Sequence, residues 1–186
     1  YLDEDARSYR RPIVCRTWHD PIEVFDRHLY QKGACVLHML HEELGDDLFW
    51  ESIRHYLRRH EWSSVVTDDL RRAIEDVSGR NLEWFFDQWV FHGGHPDLDV
   101  SWSAEGRRVT LKVRQTQKTD DMTPVFRFGV DVRVETDRGS VTQRVQVRRV
   151  TPHLHLPRLA IKQDAVVADV GNVDGMRRSR RNAMQP

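Results

Sequence analysis

Ten histidines and two cysteines make metal chemistry the first possibility to weigh. A zinc site of the H-E-x-x-H kind needs two imidazoles four residues apart on one helix face, with the glutamate beside the bound water. No such pair occurs: His41-Glu42 is followed by Gly45 where the second histidine would stand, and His60-Glu61 by Ser64. The nearest substitute is His38 and His41, three apart, with Glu42 next. That spacing suits a metal, but the sequence shows no clear further ligand, so the pair reads as helix-surface or packed histidine. His92 and His95 flank Gly93-Gly94 and read as loop residues. His153-x-His155 reads as a structural pair on one face of a strand. No metal ligand is expected in this chain.

Nucleophilic chemistry fares no better. There is no G-x-S-x-G elbow, no P-loop and no dinucleotide fingerprint. Cys35 stands near His38, but their helix looks packed, and burial is the simpler account of the thiol. Cys15 and Cys35 form no C-x-x-C pattern and read as plain thiols.

Charge narrows the partners. Twenty-nine basic residues balance 29 acidic ones, which argues against a nucleic-acid protein. No apolar run is long enough to span a membrane, and no signal peptide is visible. The chain opens on Tyr1, and YLDEDARSYRR does not read like a natural start, so the N-terminus is taken as cut or incomplete. Compartment stays open, leaning to the cytoplasm.

The hydrophobic period changes near Gly93–Pro96. Before it, apolar residues recur at helical spacing. Asp20-Pro21-Ile22-Glu23 has the composition of a helix start. A longer helix is predicted from about Leu29 to Leu44, with Val36, Leu37, Leu40 and Leu44 inward and Gly45 as its stop. Asp46 or Asp47 caps the next, with Phe49, Ile53, Tyr56 and Leu57 inward. Thr67 caps a third with Leu70, Ile74 and Val77 as its stripe, ended by Gly79. Asn81 caps a fourth carrying Leu82, Phe85, Phe86 and Trp89 at one-face spacing, up to Gly93.

After Pro96 the pattern alternates. Leu98, Val100 and Trp102 form one side of a strand, and Val109, Leu111 and Val113 another. Phe126 to Val134 form a long third strand. Asp137-Arg138-Gly139 makes a hairpin-like turn into Val141, Val145 and Val147. The organisation predicted is α+β in two parts: helices over 1–94, a β-sandwich over 95–163, and a disordered tail over 164–186. The arginines at 177, 178, 180 and 181 are read as solvated. The residues by themselves give no complete active site.

The run LYQKGACVLHMLHEELGDDLFWESIRHYL, residues 29–57, resembles the zinc aminopeptidases of the aminopeptidase N family, gluzincins of the membrane alanyl aminopeptidase type. Its centre is Tyr30-Gln31-Lys32-Gly33. VVTDDLRRAIEDVSGRNLEWFFDQW follows in the family's order, with Val66 at a position where the family has threonine. GGHPDLDVSW then resembles the crossing into the family's β domain, and TPVFRFGVDVRVETDRG fits that domain. The likeness spans roughly residues 9 to 160 and fades after Gln163.

The resemblance implies a fold: the α-helical C-terminal half of a thermolysin-like catalytic domain, followed by an immunoglobulin-like β-sandwich. It implies peptide substrates for the intact parent protein, cut at their N-terminal residues, and zinc as its cofactor. Tyr30 matches the tyrosine whose hydroxyl helps bind the developing oxyanion, and a phenol can donate that hydrogen bond. The family's two zinc histidines, its general-base glutamate, its third zinc ligand and its exopeptidase loop all precede that tyrosine, and none is found here. YLDEDARSYRRPIV resembles the stretch soon after the third ligand. The chain is therefore expected to be a C-terminal fragment, inactive alone. The alternative is a non-catalytic scaffold or interaction module derived from the same family.

Overall fold

The structure is a computed structural model. It describes residues 1–105, 108–136, 139–148, 154–155, 161–169 and 178–180. The chain divides into two compact units, residues 1–94 and 95–186.

The first unit is helical. A short helix α1 (Leu2–Arg7) leads into a loop and a 3-10 turn at Pro21–Val24, which the Asp20 carboxylate caps by accepting from the Ile22 amide at 3.0 Å. A π-helical turn, His28–Lys32, runs straight into α2 (Gly33–Leu44). Gly45, at φ 83°, breaks the helix in a conformation that favours glycine, and α3 (Asp46–Arg59) starts at once with Asp46 and Asp47 in its first turn. Next is α4 (Thr67–Ser78), ended by the left-handed Gly79. Its first turn is closed by Asp69, whose carboxylate accepts from the Val66 amide at 2.9 Å, so Val66 and not Thr67 holds the cap position. The last helix, α5 (Glu83–Phe86), continues as a second π-helical turn over Asp87–Phe91.

Leu82 holds the cap position of α5 in place of the expected Asn81, and its amide donates to the Glu75 carboxylate at 2.8 Å. The core of this unit is Val36, Leu40, Leu44, Phe49, Ala73, Ile74, Leu82, Phe85, Phe86 and Trp89. Two residues expected inward are not: Leu37 and Leu57 are exposed. Leu57 stands about 80° from Phe49 at 100° per residue, and on α3 it is small Ser52 that is buried with Phe49.

The second unit holds two small sheets. In one, β1 (Leu98–Glu105) and β2 (Arg108–Gln115) pair antiparallel from Leu98 opposite Gln115 to Glu105 opposite Arg108. The other pairs β3 (Phe128–Thr136) with β4 (Gly139–Val147) over their full length. Leu98, Leu111, Val113, Phe128, Val130, Val132, Val145 and Val147 are buried, at alternate positions of their strands. Phe126, expected inside a strand, lies before β3. Its amide donates to the Gln115 side-chain oxygen at 2.9 Å and its carbonyl accepts from the Gln115 side-chain nitrogen at 2.6 Å, so one side chain replaces a strand partner.

Three further strands lie beyond β4: β5 (Leu154–His155) on β2, β6 (Ile161–Asp169) antiparallel to β3, and β7 (Arg178–Arg180) parallel to β1. The stretch from 164 onward, where the sequence pattern suggested a tail, carries strand pairing at 166–169 and 178–180. Its ladder comes from backbone groups, which the faded side-chain alternation does not report. Asp137-Arg138 of the expected turn, His153, Arg177 and Arg181 lie outside the described residues.

Candidate functional site

Tyr30 sits in the π-helical turn with 58% of its surface exposed. Its ring lies 6.2 Å from that of Phe25, centroid to centroid, and its hydroxyl has no hydrogen bond among the described residues. Phe25, Ile22, Trp18 and Leu37 are exposed as well. The tyrosine therefore offers a free donor beside the Phe25 ring.

Beneath it the turn is anchored by buried polar groups. His28 and Lys32, four residues apart, share one face of the turn and point inward, while Tyr30 points out. His28 is fully buried. Its imidazole stacks on the Tyr9 ring at 5.2 Å and meets the edge of the Tyr1 ring at 5.4 Å. Its Nε2 lies 3.3 Å from Asp5 Oδ1, and its Nδ1 lies 3.4 Å from Asp26 Oδ2 without hydrogen-bond alignment.

Asp26 is the hub. Its carboxylate accepts from the Tyr9 hydroxyl at 2.7 Å, the Arg11 guanidinium at 2.7 and 2.5 Å, and the Leu29 amide at 2.9 Å. Burial opposes ionisation, but the Arg11 and Tyr9 hydrogen bonds, with the Leu29 amide, outweigh it and hold this carboxyl well below the usual range. The same bond pushes the Tyr9 phenol up to about 12. Arg11 spends its remaining donors on the carbonyls of Pro12, Ile13 and Val24, and so fixes the loop path. Asp5 is also paired, to Arg10 at 3.1 Å.

Lys32, 3% exposed, donates to the His92 carbonyl at 3.1 Å and lies 5.8 Å from the centre of the Tyr1 ring. Burial pushes its ammonium down to about 8, against a smaller upward pull from Asp5. The Tyr1 hydroxyl donates to the Gly94 carbonyl at 3.0 Å, and burial raises its phenol far above the ordinary value. Gly33, which follows Lys32, has ordinary helical angles (φ −57°, ψ −45°), and an added Cβ there would meet nothing within 4 Å.

Of the other residues singled out in the sequence, Cys35 is exposed rather than buried, because it follows the turn on the outer face of α2. Both cysteines are free thiols. His92 and His95 lie in the segment after the second π turn, His92 with its Nδ1 on the Asp87 carbonyl at 2.9 Å. His38, His41 and Glu42 do converge, on α2. The network of Asp5, Arg11, Asp26 and His28 was not foreseen.

Residues 1–89 match the peptidase family M1 domain. The chain is 30% identical over 149 residues to Aminopeptidase 2 of Candida albicans, covering 76% of this chain and 16% of that protein. It is 36% identical over 106 residues to glutamyl aminopeptidase of Bitis rhinoceros, covering 55% and 11%. Its structure resembles that of Legionella pneumophila aminopeptidase A, solved in complex with aspartic acid, with a TM-score of 0.75 at 14% identity, over 93% of this chain and 20% of that one. The chain spans between 10% and 18% of the length of these and similar curated relatives. Residues 1–89 thus carry the signature of the peptidase family M1 domain, and the chain is similar in sequence and in structure to aminopeptidases.

Proposed function

We infer that this chain is the C-terminal part of a zinc-dependent aminopeptidase that hydrolyses N-terminal residues from peptides, with Tyr30 as the donor to the developing oxyanion. In this reading residues 1–94 are the α-helical C-terminal half of a thermolysin-like catalytic domain, and the two sheets form an immunoglobulin-like β-sandwich. The observation that carries the reading is Tyr30 itself. Its hydroxyl is exposed and uncommitted, while the backbone beneath it is tied down by Asp26, His28 and Lys32. A donor at an oxyanion acts best when it is held before the charge forms, because nothing must then reorganise during the reaction.

The residues present do not fit the family's zinc. No H-E-x-x-H occurs, and the ligand cluster found among the described residues is His38, His41 and Glu42, a different pattern. The metal and the attacking water belong to another part of the protein in this reading. This chain contributes the phenol and the backbone that holds it.

Two assays test the reading. The purified 186-residue chain with added zinc should release no product from an aminoacyl chromogenic substrate, and chelator-sensitive turnover would overturn its proposed inactivity. In the protein that carries the zinc-binding segment, Tyr30→Phe should lower kcat about a hundred- to thousandfold with KM and bound zinc little changed. An unchanged kcat removes Tyr30 from the mechanism.

A further inference from the structure

The last two turns of α2 hold a group of side chains that the oxyanion chemistry does not use. His38, His41 and Glu42 each bring one ligand atom to within 4.8 Å of the others. The two imidazole rings are 6.4 Å apart, centre to centre. His41 is held from three sides: the Phe49 ring at 4.7 Å, the Trp50 ring at 6.1 Å, and Asp46 Oδ1 at 2.5 Å from its Nε2. His38 and Glu42, in contrast, have no hydrogen bond or ion pair among the described residues. One oriented imidazole thus faces a second imidazole and a carboxylate that have no polar partner of their own.

We propose that His38, His41 and Glu42 form a binding site for a zinc-class divalent cation at the corner between α2 and α3. The ligand set selects the ion: two imidazoles and one carboxylate suit Zn²⁺ and Co²⁺, whereas Ca²⁺ and Mg²⁺ favour oxygen ligands throughout. The distances allow it. Around a tetrahedral zinc the ligand atoms stand about 3.3 Å apart, and the unanchored torsions of His38 and Glu42 can close the difference. Asp46 supplies the carboxylate that customarily orients a ligating imidazole. Because Asp46 opens α3 and the three ligands end α2, a bound ion fastens the two helices across Gly45, whose φ of 83° makes the corner. The role of such an ion is structural.

The test uses the full chain stripped of metal and titrated with Co²⁺ under visible absorption, then with Zn²⁺ in competition. Saturation at one equivalent is expected, with the spectrum lost to Zn²⁺ and a metal-dependent rise in Tm. Glu42 is exposed, so Glu42→Gln removes the ligating carboxylate charge without disturbing packing and should weaken binding relative to wild type. His38→Gln should abolish the Co²⁺ spectrum while circular dichroism shows an unchanged fold. Absence of saturable binding overturns the proposal. So does binding of equal affinity in both variants, which would place the ion on other histidines.

Discussion

Arg11 and Asp26 form a two-pronged ion pair, Nε to Oδ2 at 2.7 Å and Nη2 to Oδ1 at 2.5 Å, with both side chains less than a tenth exposed. The pair closes the loop that precedes the π-helical turn. Asp26→Asn leaves the Arg11 charge buried without its counter-ion, and breaking such a pair costs about 3 kcal/mol or more. Urea unfolding of the helical unit should show that loss as a lower midpoint with the slope unchanged. A midpoint equal to wild type would mean that the loop is held by Arg11's carbonyl contacts alone.

The same carboxylate sets an acid limit. Its folded pKa lies below the unfolded value of about 3.9, so its contribution is present above that value and is lost as pH falls toward the folded one. Tyr9→Phe removes one of the bonds that depress it. The variant should therefore unfold at a higher pH than wild type in an acid titration followed by circular dichroism.

Lys32 acts at the alkaline end with the opposite sense. Its ammonium titrates near 8 when folded and near 10.5 when unfolded, so between those values the unfolded chain binds more protons and stability rises with pH. The rise amounts to about 3 kcal/mol at most. Lys32→Met should flatten this part of the stability profile, measured as the difference between variant and wild type at each pH. Parallel profiles would show that Lys32 keeps its proton in the fold.

Gly33 predicts a gain. It has helical angles and open space around its missing Cβ, so Gly33→Ala should stabilise the chain by about 0.5–1 kcal/mol. Thermal unfolding of the chain measures it. A loss would show that something not seen at this position needs the space.

Much of this architecture was legible because its signals are local. Gly45 and Gly79 end helices where the apolar stripe stops, and Leu82, Phe85, Phe86 and Trp89 are all buried as their spacing required. Tyr30 could be proposed only through its neighbours Lys32 and Gly33 and the matches downstream, since a lone tyrosine in a helical stretch carries no signature. The polar network under it was not legible. It joins Asp5, Tyr9 and Arg11 to Asp26 and His28 through contacts long in sequence, and no periodicity records such contacts. The π turn escaped as well, because one extra residue in a single turn leaves no mark on an apolar stripe. Leu37 and Leu57 erred the other way, as apolar residues that the described fold leaves uncovered.

The Gln115 side chain, by bonding both backbone groups of Phe126, pinches the chain shut between residues 115 and 126. Gln117 adds a second stitch to the Pro124 carbonyl at 3.2 Å, and Asp120 folds the tip by accepting from the Met122 and Thr123 amides at 3.0 and 2.7 Å. The excursion between is a self-contained Ω-shaped loop whose tip is open to solvent. Its length is thereby uncoupled from the register of the strands on either side. Foreign peptide inserted between Lys118 and Thr119 should leave both sheets intact, which makes this tip the natural place to graft an affinity tag or an epitope.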